Sequence, residues 1–529
     1  MNEQNGGFFV KRNHSPNNIV FWASSFFITI LVIWGAVSPE SFAEVATAIY
    51  GFTTRAFGWF YLVTVLGIVF FCVFLAISRY GKIRLGGDDS KPDYPFFTWI
   101  GMLFSAGFGV GLVFWGVAEP MQHFLITPVD TEPLTADAAR EAMRYAFFNW
   151  GIHQWSVFTV VGLALAYFQY RKKTTGLISS TLNPIIGKEK KSGIRIPVDT
   201  LAVIATVMGV ATSLGMGIMQ INGGLNYVFQ WPSGTTTQLI ITAVLLVLYL
   251  LSSTTGLDKG IKFLSNLNLS LALLLMLFFL FLGPTVFILN SLTLGIGDYL
   301  QHFLGMSLRL TPYEGGTWVQ DWTIFYWAWV IAWSPFVGSF IARVSKGRTI
   351  REFILGVLIV PPVLAMVWMS VFGGSALNLD LFHGTNIAQA VNQDVTSALF
   401  ATFDHFPFTM LLSVLAILLI FTFLVTSADS ATFVLGIMTT NGDLNPSMLV
   451  KIIWGVLQAA IAAVLIISSG LQGLQTASLI SALPFAVILI MMCYSLFKAL
   501  SREPRQKRKR EPRPDRKRKK KEGELPSES

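Results

Sequence analysis

WTIFYWAWVIAWSPFVGSFIAR, residues Trp322 to Arg343, decides how the rest of the chain is read. It is long and apolar enough to cross a bilayer. Stepped at about 100° per residue, it gathers Trp322, Tyr326, Trp329, Trp333 and Phe336 on one narrow face. Lipid does not ask for tryptophan at mid-membrane, where leucine or isoleucine serves as well, and indoles collect at the water interface instead. A tryptophan column through a span suits a cation, held against ring faces by about 0.5 to 2 kcal/mol per ring. The competing reading is tight helix packing with an aromatic belt at each end.

Composition widens the case. The 529 residues are 53% hydrophobic and 13% charged, against about 25% charged in a soluble globular domain, so lipid solvates much of the surface. Cys72 and Cys493 both lie in apolar runs, which argues against a disulfide framework. The first apolar run follows a polar start with Lys11 and Arg12 and is long enough to remain as a span, so no cleavable signal is expected. Residues 501–529 hold 13 Lys or Arg against 6 acids, so 7 of the 9 net positive charges lie in the tail and the membrane body is nearly neutral.

Apolar runs predict an all-α integral membrane protein with twelve transmembrane helices, at about 18–37, 57–78, 95–117, 145–168, 198–221, 236–255, 263–289, 319–341, 353–375, 408–438, 449–468 and 475–498. Basic residues fill alternate connections: Arg79, Lys82, Arg84 and Lys91; Arg171, Lys172, Lys173, Lys188, Lys190 and Lys191; Lys259 and Lys262; Arg343, Lys346, Arg348 and Arg351. The opposite connections are acidic or neutral, with Glu119, Asp130, Glu132 and Asp137. The positive-inside rule then puts both termini in the cytoplasm, as an even span count also requires. Residues 291–312 are too polar to cross and read as a helix along the outer interface, separating an early half from a late one. The expected division is 1–94 (N-terminus and two helices), 95–290, 291–317 (interfacial), 318–500 and 501–529. The tail, RQKRKREPRPDRKRKKK at 505–521, suits anionic lipid at about 1 kcal/mol per basic residue near the surface, or is a solvated tail that only obeys the charge rule.

Four spans carry candidate chemistry. Gly107, Gly109 and Gly111 crowd the third. Gly107 and Gly111 have the spacing of a close helix contact, but three glycines so near one another also suit an unwound segment whose free carbonyls line a cavity. In the fourth, NWGIHQWSVF, Trp150, Trp155 and Phe158 share one flank and could wall a pocket with the eighth span, beside His153. In the tenth, FLVTSADSATF, Thr426, Ser427 and Ser430 offer hydroxyls and Asp429 a carboxylate inside an apolar run. Such groups either bridge helices or, with unwound carbonyls, hold a hard cation such as Na⁺. Thr206, Thr212, Ser213, Gly215 and Gly217 give the fifth span a small polar face and a second possible cation lining. No phosphate-binding GxxxxGK[ST], no HExxH and no GxSxG occurs, so ATP-driven transport and the two best-known hydrolase signatures find no support. An intramembrane enzyme using His153 and Asp429 lacks any motif joining them.

These residues resemble the bacterial betaine/choline/carnitine transporter family over about residues 15–500. The resemblance rests on Trp322 to Phe353, on Ser105 to Gly111 with Glu119 and Pro120, on NWGIHQW at Asn149 to Trp155, and on TSADS at Thr426 to Ser430. It implies a leucine-transporter-like core of two inverted five-helix repeats, spans three to seven and eight to twelve. It further implies sodium-coupled import of glycine betaine or a related quaternary-ammonium compatible solute for osmoprotection, commonly by a homotrimer in the bacterial plasma membrane. The alternative within the family is proton-coupled or exchange transport of choline or carnitine.

The resemblance assigns an aromatic cage to Trp150, Trp155 and Phe158 with Phe114, Trp329, Val330 and Trp333. It assigns a sodium site to Thr426, Ser427 and Phe423 with carbonyls near Ser105 and Phe108. No other cofactor is implied. Relatives often carry Tyr at Phe158 and Trp at Val330, so one ring of the cage is missing here. The loss of a ring is worth up to about 2 kcal/mol. A second sodium site in relatives matches Thr206 but meets Val210 where a relative has Thr. Some choline carriers place Asp at Gly111, and its absence favours a zwitterion over a cation.

Overall fold

The computed structural model describes residues 18–504 apart from 108, 188–192, 256–257 and 314. The basic stretch 505–521 and Lys11 and Arg12 therefore lie outside the described residues, as does Phe108; Ser105 falls in a helix, with its side chain not described. Among the described residues the fold is helical, and the one extended pairing is an isolated bridge between Arg84 and Thr349. The main helices are α1 (Ile19–Val37), α2 (Pro39–Ile77), α3 (Phe96–Gly107), α4 (Val110–Leu125), α5 (Ala136–Trp150), α6 (Ile152–Ala166), α7 (Arg195–Phe229), α8 (Thr235–Thr255), α9 (Asp258–Leu282), α10 (Thr285–Gln301), α11 (Phe325–Val344), α12 (Ile350–His383), α13 (Thr409–Thr439) and α14 (Met448–Ser501). Ten helical stretches among the described residues are long and apolar enough to span a membrane.

Burial sorts these spans into inner and outer. The apolar window of Ala136–Arg171 is 94% buried and that of Arg195–Phe229 is 89% buried, whereas Thr235–Ser253 and Phe263–Leu282 are 22% and 28% buried. The inner helices approach closely because glycines meet: a methyl group on Gly338 of α11 would lie 2.5 Å from Val161 Cγ1 and 3.0 Å from the Gly162 nitrogen of α6. Leucine-rich α8 and α9 turn outward instead, with Leu248, Leu251, Leu274 and Leu277 exposed to whatever surrounds the bundle.

Several boundaries differ from the expectation, each for a local reason. The second helix starts at Pro39, not near 57, because proline is favoured in a first turn and the run after it to Gly51 has no breaker. The fourth span starts at Ala136, capped by Thr135, and is broken at Gly151 by the hydroxyl of Tyr299, which accepts from the Ile152 nitrogen at 3.1 Å. The seventh ends at Leu282, and Gly283 and Pro284 begin a new helix at Thr285, so the segment expected at 291–312 starts earlier. That helix buries Ile288, Gly295, Asp298 and Tyr299 and leaves Leu289, Leu294 and Leu300 exposed; Asp298 takes both fork nitrogens of Arg140 at 2.6 and 2.7 Å. The last two expected spans form one helix, Met448–Ser501, bent at Gly470, whose φ of 57° and ψ of −133° are non-helical.

The glycines of the third span do break it. α3 ends at Gly107, Gly109 is extended (φ −139°, ψ 171°), and α4 begins at Val110.

One end of the bundle collects the basic connections. Leu85 and Ile350 nitrogens donate to the Arg348 and Ile83 carbonyls at 2.8 and 2.9 Å, and the Gly347 nitrogen donates to Leu85 at 2.7 Å. Glu503, just beyond α14, accepts from Lys172 Nζ at 2.6 Å and from Arg171 Nη2 and Tyr167 Oη at 2.8 Å. Burial raises the Glu503 pKa, but the hydrogen bonds from Arg171, Lys172 and Tyr167 outweigh it and hold the carboxyl at about 2, below its ordinary 4.5. A depressed carboxyl stabilises above its ordinary pKa, so this joint is intact above about 4.5 and is lost as the pH falls towards about 2. Glu503→Gln removes the charge without acid. Trypsin should then cut after Arg502 several-fold faster at neutral pH, and an unchanged rate would show that the carboxylate does not hold the joint.

Candidate substrate and ion site

The column on α11 is longer than its sequence face suggested. Trp318 stacks on Trp322 and Trp322 on Tyr326 (centroids 6.4 Å apart in both), Tyr326 meets Trp329 at 6.1 Å, Trp329 stacks on Trp333 at 6.2 Å with 17° between planes, and Trp333 meets Phe336 at 6.0 Å. A five-residue π-helical turn, Gln320–Ile324, precedes α11 and lies between Trp318 and Phe325. Rings from the fourth span meet this column edge-on: Trp150 reaches Tyr326 at 5.6 Å and Trp329 at 6.0 Å, and Phe158 reaches Trp333 at 6.0 Å while contacting Trp155 at 5.3 Å. The expected partnership of the fourth and eighth spans is therefore physical contact.

A carboxylate sets the middle of this cluster. The sequence groups Glu119 with the acidic connections. The residue is instead fully buried in α4. It accepts from Asn149 Nδ2 and Trp150 Nε1, each at 2.8 Å, and from Tyr326 Oη at 2.5 Å, and pairs with His123 Nε2 at 3.3 Å. Three helices thus orient their rings on one side chain, at a depth where an unpartnered carboxylate is too costly to keep. Gly111, two residues after the extended Gly109, supplies the clearance: a Cβ there would lie 2.4 Å from Trp329 Cη2 and 3.4 Å from Trp150 Cη2.

Trp333 is the hinge between rings and oxygens. Behind it lies a cavity of about 150 Å³ lined by Gly109, Asn268, Phe423, Thr426, Ser427 and Ser430 among others. A smaller space of about 20 Å³, room for about one water, joins Gly109 and Gly111 to Ser213, Trp333 and Ser427. Thr426, Ser427 and Phe423 are thus brought together, across from the break in the third span. Hydroxyl, amide and carbonyl oxygens are the hard, neutral donors that suit Na⁺, and no group of three or more His, Cys, Asp or Glu suited to a metal ion occurs among the described residues.

The remaining candidates divide. Val330 is buried in α11 and Phe114 meets Trp115 edge-on at 4.8 Å. Thr206 donates to the Ala202 carbonyl of its own helix at 2.8 Å, whereas Thr212 donates to that of Leu474 at 2.8 Å and ties α7 to α14. His153 is packed between Phe303 (4.4 Å) and Trp327 (5.4 Å) and hydrogen-bonded to Ser307 at 2.7 Å, a structural role. Asp429 accepts from Ser252 at 3.0 Å and borders a separate cavity of about 530 Å³ with Arg343, Lys451 and Phe433. Sequence reasoning missed Asn149, Trp318 and Asn268, and misplaced Glu119; the i,i+4 spacing of Glu119 and His123 was a usable signal.

A multi-span helical protein with a ring-lined core broken by glycine has the build of a membrane carrier. A profile described as "BCCT, betaine/carnitine/choline family transporter" matches residues 19–505. The chain is 59% identical to the ectoine/hydroxyectoine transporter of Virgibacillus pantothenticus over 487 residues, 92% of this chain and 97% of that protein. It is 50% identical to the glycine betaine transporter OpuD of Bacillus subtilis (strain 168), over 93% of this chain and 96% of OpuD. It is 47% identical to a probable glycine betaine transporter of Desulfitobacterium hafniense (strain Y51), over 91% and 97%. The chain belongs to the betaine/carnitine/choline transporter family; it is a multi-pass membrane transporter of the compatible-solute type, not an enzyme.

Proposed function

We propose that the protein imports a zwitterionic compatible solute by sodium symport, as osmoprotection, and that its cargo is an ectoine or glycine betaine. The observation that carries this reading is Trp333, whose ring belongs at once to the aromatic column and to the wall of the hydroxyl-lined cavity. Cation and cargo then share one side chain, and each favours the arrangement the other needs. The rings serve the positive end of the cargo. Val330, where relatives often carry a further ring, offers no π-face to a trimethylammonium group, and the relative named for ectoines has the higher identity.

Twelve spans result if α3 and α4 are counted as one crossing and α14 as two, and we read them as two helices followed by two inverted five-helix repeats. Both termini are assigned to the cytoplasm, the side of the basic joint at Arg171, Lys172 and Arg348. A homotrimer and a tail bound to anionic lipid complete the proposal. Deleting 501–529 and finding uptake unchanged at high osmolarity would remove the tail from it.

Labelled ectoine and glycine betaine uptake into proteoliposomes, with and without an inward sodium gradient, tests the function. Sodium-dependent accumulation is expected, with choline and carnitine competing poorly. Equal uptake in sodium-free buffer would favour proton-coupled or exchange transport instead. Trp329→Leu should weaken cargo binding about tenfold, while Trp59→Leu, on a ring that is 55% exposed at the rim, should leave it unchanged. Calorimetric titration of both variants checks this pair.

A further inference from the structure

The cavity behind Trp333 contains a side chain that the ion site described so far does not use. Asn268 comes from α9, a helix otherwise turned outward, yet it is only 3% exposed. Its Nδ2 donates to Thr426 Oγ1 at 3.1 Å, while its Oδ1 has no hydrogen-bond partner. Ser265, one turn earlier on the same helix, lines the same cavity. A buried amide oxygen left unpaired costs free energy, and such a group is retained where a ligand completes it.

Local hydrogen bonding orients this amide. Thr426 Oγ1 has one proton, and it lies 3.0 and 3.1 Å from the Thr422 and Phe423 carbonyls, to which that proton is given. It can therefore only accept from Asn268, which commits the Asn268 nitrogen to Thr426 and leaves the oxygen as the free end of the amide. The second lone pair of Thr426 Oγ1 also stays available. Two neutral oxygens on adjoining helices, one amide and one hydroxyl, then border one space with Ser427.

We propose that Asn268 Oδ1 is a direct ligand of the coupling sodium ion. The site then spans three elements, α9, α13 and the break at Gly109, and occupancy ties α9 to α13. The proposal rests on the sodium-symport reading. It deepens that reading by adding a ligand from a helix whose leucine-rich outer face gives no sign of one.

The test uses the full chain, purified and reconstituted. Tryptophan fluorescence is followed while NaCl replaces N-methyl-D-glucamine chloride, without cargo, and cargo binding is then measured at each sodium concentration. Asn268→Leu, close to the same size, should raise the sodium concentration for half-saturation at least about tenfold, with cargo affinity recovered at saturating sodium. Asn268→Asp keeps an oxygen at the same place and should bind sodium no more weakly than the parent, which also guards against a misfolded leucine variant. Unchanged half-saturation in Asn268→Leu overturns the proposal. Equal weakening in both variants also overturns it, because the bond from Nδ2 to Thr426 would then be what matters. A parent protein with no sodium response at all would instead overturn the symport reading itself.

Discussion

Glu119→Ala is expected to cost about 3–5 kcal/mol, because it strands Asn149, Trp150 and Tyr326 as buried donors with no acceptor. That is a large part of the about 5–15 kcal/mol that keeps a typical fold together. Little protein of the right size should be recovered from membranes. Glu119→Gln is the informative variant. It keeps the volume, but Trp150 and Tyr326 share Oε2 while Asn149 and His123 share Oε1, so the new amide N–H₂ opposes either the Trp150 indole or the Asn149 amide, and one donor of the cluster must turn away. Recovery should be near normal with a lowered melting temperature, and cargo binding should fall at least about tenfold. A glutamine variant that binds cargo as the parent does would mean that the rings do not depend on the charge of this side chain.

Gly111→Val has the second large effect, and it acts from the opposite side of the same rings. The first added carbon alone meets Trp329 Cη2 at 2.4 Å, far inside contact distance. Overpacking of this kind costs about 1–3 kcal/mol, and here the indole is what must yield. Binding should be lost with the fold retained, as judged by an unchanged elution profile. In the double variant Gly111→Val, Trp329→Leu the cost should be much less than the sum of the two single costs, because the second change removes the obstacle that the first one meets. Simple additivity would show that the two residues do not share a space in solution.

Most of the fold was legible because lipid imposes a strong rule: a helix must be apolar for its full crossing, and loops on one side are basic. Apolar length located α1, α8 and α13 to within a few residues, and the glycine cluster located the break before Val110. What composition cannot show is where a helix continues into polar residues. Pro39–Phe52 and Ala136–Arg144 are helical because nothing in them breaks a helix, and hydropathy alone did not mark them. The site was legible where residue types repeat at helical spacing, as on α11, and where several hydroxyls adjoin, as in Thr426 to Ser430. Glu119 reads as part of a connection because it follows the apolar run 95–117; its donors come from α5 and α11, far away in the chain. Asn268 is one amide in an apolar run, and a single residue makes no pattern. Only proximity to Thr426 gives it meaning.

The corner at Gly470 has a practical consequence. The arms of Met448–Ser501 meet at one residue whose φ of 57° and ψ of −133° exclude any side chain with a Cβ, so there is no slack between them. An epitope or reporter enzyme inserted at this corner has to distort both arms, and such a fusion will be degraded before it can report a side. With the two arms counted as separate crossings, as proposed above, mapping the topology by tagging each connection in turn will draw a blank here and count two crossings too few.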